Sequence, residues 1–269
     1  MTAVHAPLRI AELRRARAAA GIGQVIHYFD SVDSTNTVAH RLAAAGAEEG
    51  TTVIAERQTQ GRGRLGRSWV SPPYRNLYVS IVLRPALPAA VTPVIGLAAG
   101  LAATRAVAAW TPAARMKWPN DVVVDGRKLV GILTEMATRT DAVDFVIVGI
   151  GVNLNSKRDD FPPELHDKAT SLAMVTGAAV ERVTFADRLL SESEGAYMEV
   201  RRAGFAAIHA ECEQRSSLIG QRVDIAAGDR HYGGTVCGFD ADGRLRLRTD
   251  DGGEQTIVAG DVSVVGGYA

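Results

Sequence analysis

The sequence predicts a mixed α/β fold of the α+β kind, followed by a small all-β unit. Three observations lead there. The chain has 269 residues, room for one large domain and one small one. Helix-patterned and strand-patterned segments alternate up to about residue 215. From Ser216 the pattern changes to short β-like runs separated by Asp242-Gly243 and Asp251-Gly252-Gly253, which are turn sequences. The expected division is therefore 1–215, with an N-terminal extension over 1–27, and 216–269.

Composition narrows the class. Hydrophobic residues make up 46% of the chain, ordinary for a globular protein. Thirty basic residues balance thirty acidic ones, which argues against a general nucleic-acid binder. Cys212 and Cys237 are the only cysteines, too few for a disulfide framework, so a reduced, cytoplasmic setting is expected. The first 25 residues carry Arg9, Arg14, Arg15 and Arg17 without an apolar centre, unlike a signal peptide. No stretch reads as a membrane span.

In chain order, Ile10–Ala20 reads as a short helix. Asp33-Ser34-Thr35-Asn36 then predicts a helix start, with Ser34 or Thr35 as cap and Gly46 as stop after Ala45. Capping is compatible with ligand binding, because a helix N-terminus favours anions. Thr51–Ala55 reads as a strand. Val94–Ala109 reads as a buried helix, with Thr92 as cap and Pro93 first. Val122–Val124, Asp125-Gly126 and Arg127–Leu133 read as a β-hairpin on a two-residue turn. Simple alternation there puts Lys128, Val130 and Ile132 on one face and Leu129, Gly131 and Leu133 on the other. Phe145–Asn155 reads as a buried strand entering a tight glycine turn, with Asn153 emerging after it. Thr184–Glu213 reads as one amphipathic helix, with Phe185, Leu189, Tyr197, Val200, Phe205 and Ile208 near one face and a Thr184/Asp187 capping pair. Asp240, Asp242, Asp250 and Asp251 read as turn residues rather than a metal site.

The heptapeptide Gly61-Arg62-Gly63-Arg64-Leu65-Gly66-Arg67 carries the most chemistry. Its glycines give backbone freedom, and its arginines offer forks for carboxylate or phosphate. It matches the dinucleotide pattern G-x-G-x-x-G literally. That reading needs a helix opening directly after it, and Pro72-Pro73 oppose one. A solvated basic loop, or a loop that closes on an anion, remains. Lys128 sits on an otherwise apolar strand, where it either snorkels to water or meets an anion. Gly131 leaves a gap in that strand for a close neighbour.

Taken in order, these pieces resemble the biotin–protein ligases. The matching residues are Asp33-Ser34-Thr35-Asn36, Gln58 and Gln60 leading into the heptapeptide, Ser68-Trp69, and Asn76-Leu77-Tyr78. They continue with Lys117-Trp118-Pro119-Asn120-Asp121, Lys128–Leu133, Gly151-Val152-Asn153 and Thr170-Ser171-Leu172. The resemblance runs from Tyr28 to the C-terminus and implies the mixed-sheet catalytic domain of the biotin/lipoate ligases with an SH3-like C-terminal β-barrel. It implies a two-step activity. Biotin and ATP, with magnesium, give biotinyl-5′-AMP; a lysine of a biotin carboxyl carrier domain of an acyl-CoA or pyruvate carboxylase then takes the biotin. It places Ser34, Thr35, Asn36 and Gln58 at biotin, Arg62, Gly63 and Arg64 in the loop over biotin and adenylate, and Arg67 and Trp69 on the ATP side. It has Lys128 holding carboxylate and phosphate oxygens and Gly131 leaving room, with Asn120 and Asn153 in the nucleotide and magnesium region. The short stretch ahead of the core implies a ligase without a DNA-binding repressor domain.

The chemistry fits those residue types. Joining a carboxylate to a polyphosphate opposes two anions, so positive charge and positioning matter most. Arg64, Arg67 and Lys128 are the catalytic candidates for that step. The second step needs a neutral amine, and Asp121 is either its base or a residue fixing the Pro119-Asn120 turn. Trp69 and Leu133 are either an apolar wall for biotin or core. The Gly61–Trp69 loop is expected to order on ligand and shield the intermediate from water. A lipoate or octanoate ligase or transferase is the nearest alternative. A non-catalytic nucleic-acid module is opposed by zero net charge and the lack of interleaved aromatics.

Overall fold

A computed structural model describes residues 6–85, 93–139 and 142–266. Its centre is a seven-stranded sheet in the order β1-β2-β3-β7-β6-β5-β4. The strands are β1 (Ile26–Val32), β2 (Thr52–Gln58), β3 (Leu77–Leu83), β4 (Ala114–Lys117), β5 (Asp121–Val124), β6 (Arg127–Arg139) and β7 (Ala142–Val152). Helix α2 (Thr35–Ala44) joins β1 to its parallel neighbour β2; the other pairs are antiparallel. The apolar runs of β3 and β7 are buried on both faces, which requires cover on each side.

Helix α2 supplies one cover. Ala39 and Ala43 pack on Val53, Val82, Phe145 and Ile147. On the other face, α3 (Pro93–Ala108) and α5 (Arg182–Ala203), which follows the short α4 (Leu172–Thr176), pack against Ile54, Val79, Ile81, Val148 and Ile150. Helix α1 (Ile10–Ala16) ends four residues short of the expected Ala20 and docks through Arg17, which bonds Ser191 at 2.6 Å and Glu194 at 2.5 Å. The proposed cap of α3, Thr92, lies outside the described residues.

Several expectations need correction. Ser34 is the N-cap residue of α2, but no side chain caps by hydrogen bond; the Thr35 N–H is taken by Gln58 Oε1 at 2.9 Å. The long C-terminal helix is two helices. Gly204, at φ 64°, breaks it after Ala203, and α6 (His209–Arg215) resumes beyond a 3₁₀ turn. Its cap is Glu181, which accepts from the Thr184 N–H at 2.7 Å, not a Thr184/Asp187 pair. Gly149 and Gly151 lie inside β7 rather than in a turn. The Asp125-Gly126 turn is as expected, with φ of 49° and 75°.

The C-terminal strands β8 (Arg222–Ala227), β9 (Arg230–Phe239), β10 (Leu245–Thr249), β11 (Glu254–Ile257) and β12 (Asp261–Val264) form one antiparallel sheet, ordered β11-β10-β9-β8-β12. Asp240 and Asp251 accept backbone N–H bonds in its turns, as read from sequence. Its apolar side chains Ile225, Phe239, Leu245 and Leu247 share a core with Val94, Leu97 and Leu101 of α3 and with Met116, Trp118 and Phe205.

Candidate active site

The sheet face that α2 covers is open over its second half, where β3, β7 and β6 run side by side. Three glycines make that possible. Gly151 pairs with Tyr78 on one side and Gly131 on the other; Gly149 pairs with Ser80 and Leu133. A methyl on Gly131 would lie 2.7 Å from the Trp69 ring, and one on Gly151 2.6 Å from it. A methyl on Gly149 would strike the Asn36 amide. The glycines therefore admit Trp69 and Asn36 against the sheet. The result is a cleft enclosing about 460 Å³ of space that opens to solvent.

One β-bulge sets the position of Lys128. Val122 pairs with Val130 but Val123 with Lys128, so Leu129 is an extra residue in β6. This breaks the simple alternation, and Lys128 shares the cleft with Gly131 and Leu133 rather than lying opposite them. A Cβ on Gly131 would sit 3.1 Å from Lys128 Cε. The Lys128 backbone is clamped from outside the sheet: its N–H donates to Lys168 O at 2.7 Å, and its C=O accepts from Thr170 N–H at 2.9 Å. Its Nζ is 2.6 Å from Asp121 Oδ1 and 5.6 Å from the Trp69 ring centre.

The Gly-Arg loop folds back on itself. Gly63 N–H donates to Arg67 O, Trp69 N–H donates to Gly61 O, and Leu65 and Gly66 take positive φ. Each arginine has a separate anchor. Arg64 donates to Asn120 Oδ1 at 3.0 Å, and Asn120 is bonded to Ile132 O at 2.8 Å. Arg62 donates to Glu135 at 3.2 Å. Arg67 forms an ion pair with Asp261 at the start of β12. Arg62, Arg64 and Lys128 thus bring three cations to one cleft, each steadied by a polar partner. Nearby Lys117 is held below the usual lysine range by burial, opposed by the Asp121 charge.

Neutral groups occupy the α2 end. Ser34, Thr35 and Asn36 are buried there. Thr35 Oγ1 lies 3.1 Å from Gln58 Oε1 and 2.8 Å from Ser80 Oγ. Gln58 Nε2 donates to Ser71 Oγ at 3.2 Å, and Ser71 donates to the Trp69 carbonyl at 3.1 Å. This end offers directed neutral hydrogen bonds beside the Ile132, Leu133 and Ile150 side chains.

Of the residues singled out from sequence, Ser34, Thr35, Asn36, Gln58, Arg62, Gly63, Arg64, Trp69, Asn120, Lys128 and Gly131 line the cleft. Arg67, Asp121 and Asn153 do not. Asp121 stands behind Lys128, and Arg67 faces the C-terminal sheet. Asn153 is buried behind the site, its N–H on Leu129 O and its C=O on Leu172 N–H. Sequence reading missed Ser80 and Glu135. Ser80 had a signal: it is the one small polar residue in the apolar run Leu77–Leu83.

A family model described as the biotin/lipoate A/B protein ligase family matches residues 28–153, and one described as the biotin protein ligase C-terminal domain matches 218–265. The chain is 37% identical to a biotin–[acetyl-CoA-carboxylase] ligase of Mycobacterium tuberculosis, over 95% of each protein. It is 39% identical to a bifunctional ligase/repressor BirA of Bacillus spizizenii, over 86% of this chain and 71% of that one. Among solved structures, biotin protein ligase from Aquifex aeolicus in complex with biotin and ATP superposes with a TM-score of 0.77 at 30% identity. That match covers 90% of this chain and 98% of the other. The cleft, the two-sheet architecture and these matches over both parts agree, and the chain belongs to the biotin protein ligase family.

Proposed function

We propose that this chain activates biotin with ATP and transfers it to protein lysines at this one cleft. In the first step a biotin carboxylate oxygen attacks the α-phosphorus of ATP, giving biotinyl-5′-AMP and releasing pyrophosphate. In the second a lysine ε-amine attacks the anhydride carbonyl, forming an amide and releasing AMP. The observation that carries this is the pairing of opposite chemistries in one cleft. Arg62, Arg64 and Lys128 gather at the loop end, and Thr35, Gln58 and Asn36 at the other. Cations held by fixed partners reduce the repulsion between two anionic reactants without reorganising during the reaction. Neutral donors and acceptors beside aliphatic side chains suit a ureido ring on an apolar chain.

The residue roles belong to the same proposal, supported for Lys128, Arg62, Arg64, Trp69 and Asn120 by their place in the cleft lining. Lys128 bridges carboxylate and α-phosphate oxygens, and Arg62, Gly63 and Arg64 close over the adenylate. Trp69 and Asn120 serve the nucleotide, and Arg67 reaches the phosphates on leaving Asp261. Asn153 acts from behind, through the backbone it holds. Asp121 orients Lys128 and takes the acceptor proton in the second step. Among the described residues no three acidic, cysteine or histidine side chains gather as a metal site. Magnesium would arrive with the nucleotide and offset its phosphate charge, with Asn120 and Asn153 the residues proposed for that region.

Acceptors are proposed to be the biotin carboxyl carrier domains of acyl-CoA and pyruvate carboxylases; the names of two ligase relatives support acetyl-CoA carboxylase among them. Repressor activity is not part of this proposal. No helix among the described residues is long and apolar enough to cross a membrane.

Biotin-dependent exchange of labelled pyrophosphate into ATP tests the proposal. The wild type exchanges only with biotin, and Lys128→Ala loses at least about a hundredfold. Exchange with lipoate or octanoate instead would overturn it.

A further inference from the structure

We infer that Glu135, which does not line the cleft, is a positioning residue for the biotin-activating step. It sets the orientation of Asn36 and holds Arg62 at the cleft mouth. The inference rests on the biotin ligase reading above.

Glu135 lies on β6, opposite Ile147, on the face that carries α2. Its carboxylate accepts from Asn36 Nδ2 at 2.6 Å and from Arg62 Nη2 at 3.2 Å. One carboxylate therefore joins the buried start of α2 to the exposed Gly-Arg loop, two segments that meet over the cleft.

The consequence can be followed atom by atom. A carboxylate only accepts hydrogen bonds, and so does the Leu133 carbonyl at a longer 3.3 Å from Asn36 Nδ2, so the Asn36 amide must turn its NH₂ toward Glu135. Its Oδ1 then faces Ser80, whose hydroxyl donates to it at 2.6 Å. A hydroxyl has one proton. Ser80 has spent it, so at the 2.8 Å contact with Thr35 it can only accept. The Thr35 proton is then directed to Ser80 Oγ or to Gln58 Oε1 at 3.1 Å. In either case Thr35 presents lone pairs, not a proton, to a ligand. Glu135, the closer of the two acceptors on Asn36 Nδ2, thus holds an acceptor at the cleft floor, three hydrogen bonds away, suited to a ligand N–H.

The other arm is electrostatic. The Arg62 side chain is 47% exposed and that of Glu135 31%. Such a pair adds little to stability, but it restrains a glycine-flanked arginine that otherwise samples solvent. Restraint before binding lowers the ordering cost on binding.

Glu135→Gln keeps the shape and removes the dictation, because an amide both donates and accepts. Pyrophosphate exchange should show KM for biotin raised about five- to tenfold, with kcat within about twofold. More biotinyl-5′-AMP should escape to buffer per biotin transferred, and the thermal midpoint should stay close to wild type. Placed on Arg62→Ala, the same substitution should have a smaller effect than alone. Should Glu135→Gln fail to fold, Glu135→Met, which keeps the length without the carboxylate, is read for the same KM shift. Wild-type KM and wild-type adenylate retention in the variant would overturn the inference alone. A fall in kcat and thermal midpoint with KM unchanged would do the same, marking a purely structural role. Absence of biotin-dependent exchange in the wild type would overturn the ligase reading and this inference with it.

Discussion

Gly131 and Gly151 face each other across β6 and β7, and the Trp69 ring lies over both. Two strands surrender their side chains so that an indole from a distant loop can rest on backbone. A methyl on either glycine lands within 2.7 Å of ring atoms, so the ring must move.

Gly151→Ala is therefore expected to displace Trp69 and with it the end of the Gly-Arg loop. Pyrophosphate exchange should fall about tenfold or more, while far-ultraviolet circular dichroism stays that of the wild type. Unchanged exchange would show that the ring position does not matter to activation.

Asp121 touches Lys128 at 2.6 Å but does not line the cleft. If it serves the acceptor lysine, Asp121→Asn slows transfer from preformed biotinyl-5′-AMP more than it slows exchange, by about tenfold or more. Equal losses in the two assays would reduce its role to holding Lys128.

Glu56 and Arg182 form a deeply buried ion pair at 2.7 Å, with side chains 0% and 8% exposed. Glu56 also accepts from Tyr28 OH and Leu8 N–H, and Arg182 donates to the Asn76 and Ala6 carbonyls. Burial and the Glu56 contact push the Tyr28 phenol well up. Removing one partner strands the other charge. Arg182→Met should cost about 3–5 kcal/mol in urea unfolding, whereas Arg9→Ala, at an exposed pair, should leave the unfolding curve close to that of the wild type.

Hydrogen bonding from Arg105 holds the Glu211 carboxyl below the usual carboxylate range, helped by Arg215. A carboxyl lowered in the folded state adds stability that is present above its unfolded pKa and lost as pH falls through its folded one. Acid destabilisation should therefore be shallower in Glu211→Gln, with the difference confined to the region below about pH 4.5. Parallel curves of unfolding free energy against pH would contradict this.

The hairpin at Asp125-Gly126 was legible because its turn chemistry is local, and the buried strands because their apolar runs are continuous. The facing of Lys128 was not. It depends on a bulge stabilised by Lys168 and Thr170, some forty residues later, and no local pattern records that. Gly149 and Gly151 read as a turn because glycine signals turns and close approaches alike; what separates the two is Asn36 against Gly149 and Trp69 against Gly151, both far upstream. Gly204 stood in plain view inside the long helical pattern, yet apolar spacing on either side hid the break. Most of the cleft lining was readable because its residues sit in compact motifs. Glu135 was not, because its partner Asn36 lies 99 residues away; Ser80 could be noticed as polar in an apolar strand but not placed, because its partner lies 44 residues away.

The packing of Leu97 and Leu101 against Phe239, Leu245 and Leu247 bears on how the protein can be taken apart. Cutting the gene at Ser216 would not release a trimmed enzyme. It would wet an oily stripe on α3, and the shortened product would report clumping before it reported chemistry. A chimaera carrying a relative's C-terminal sheet would meet the same demand, since the graft must fit the leucines on α3. The two sheets are bound to drift together through evolution, each substitution at that seam waiting on its counterpart.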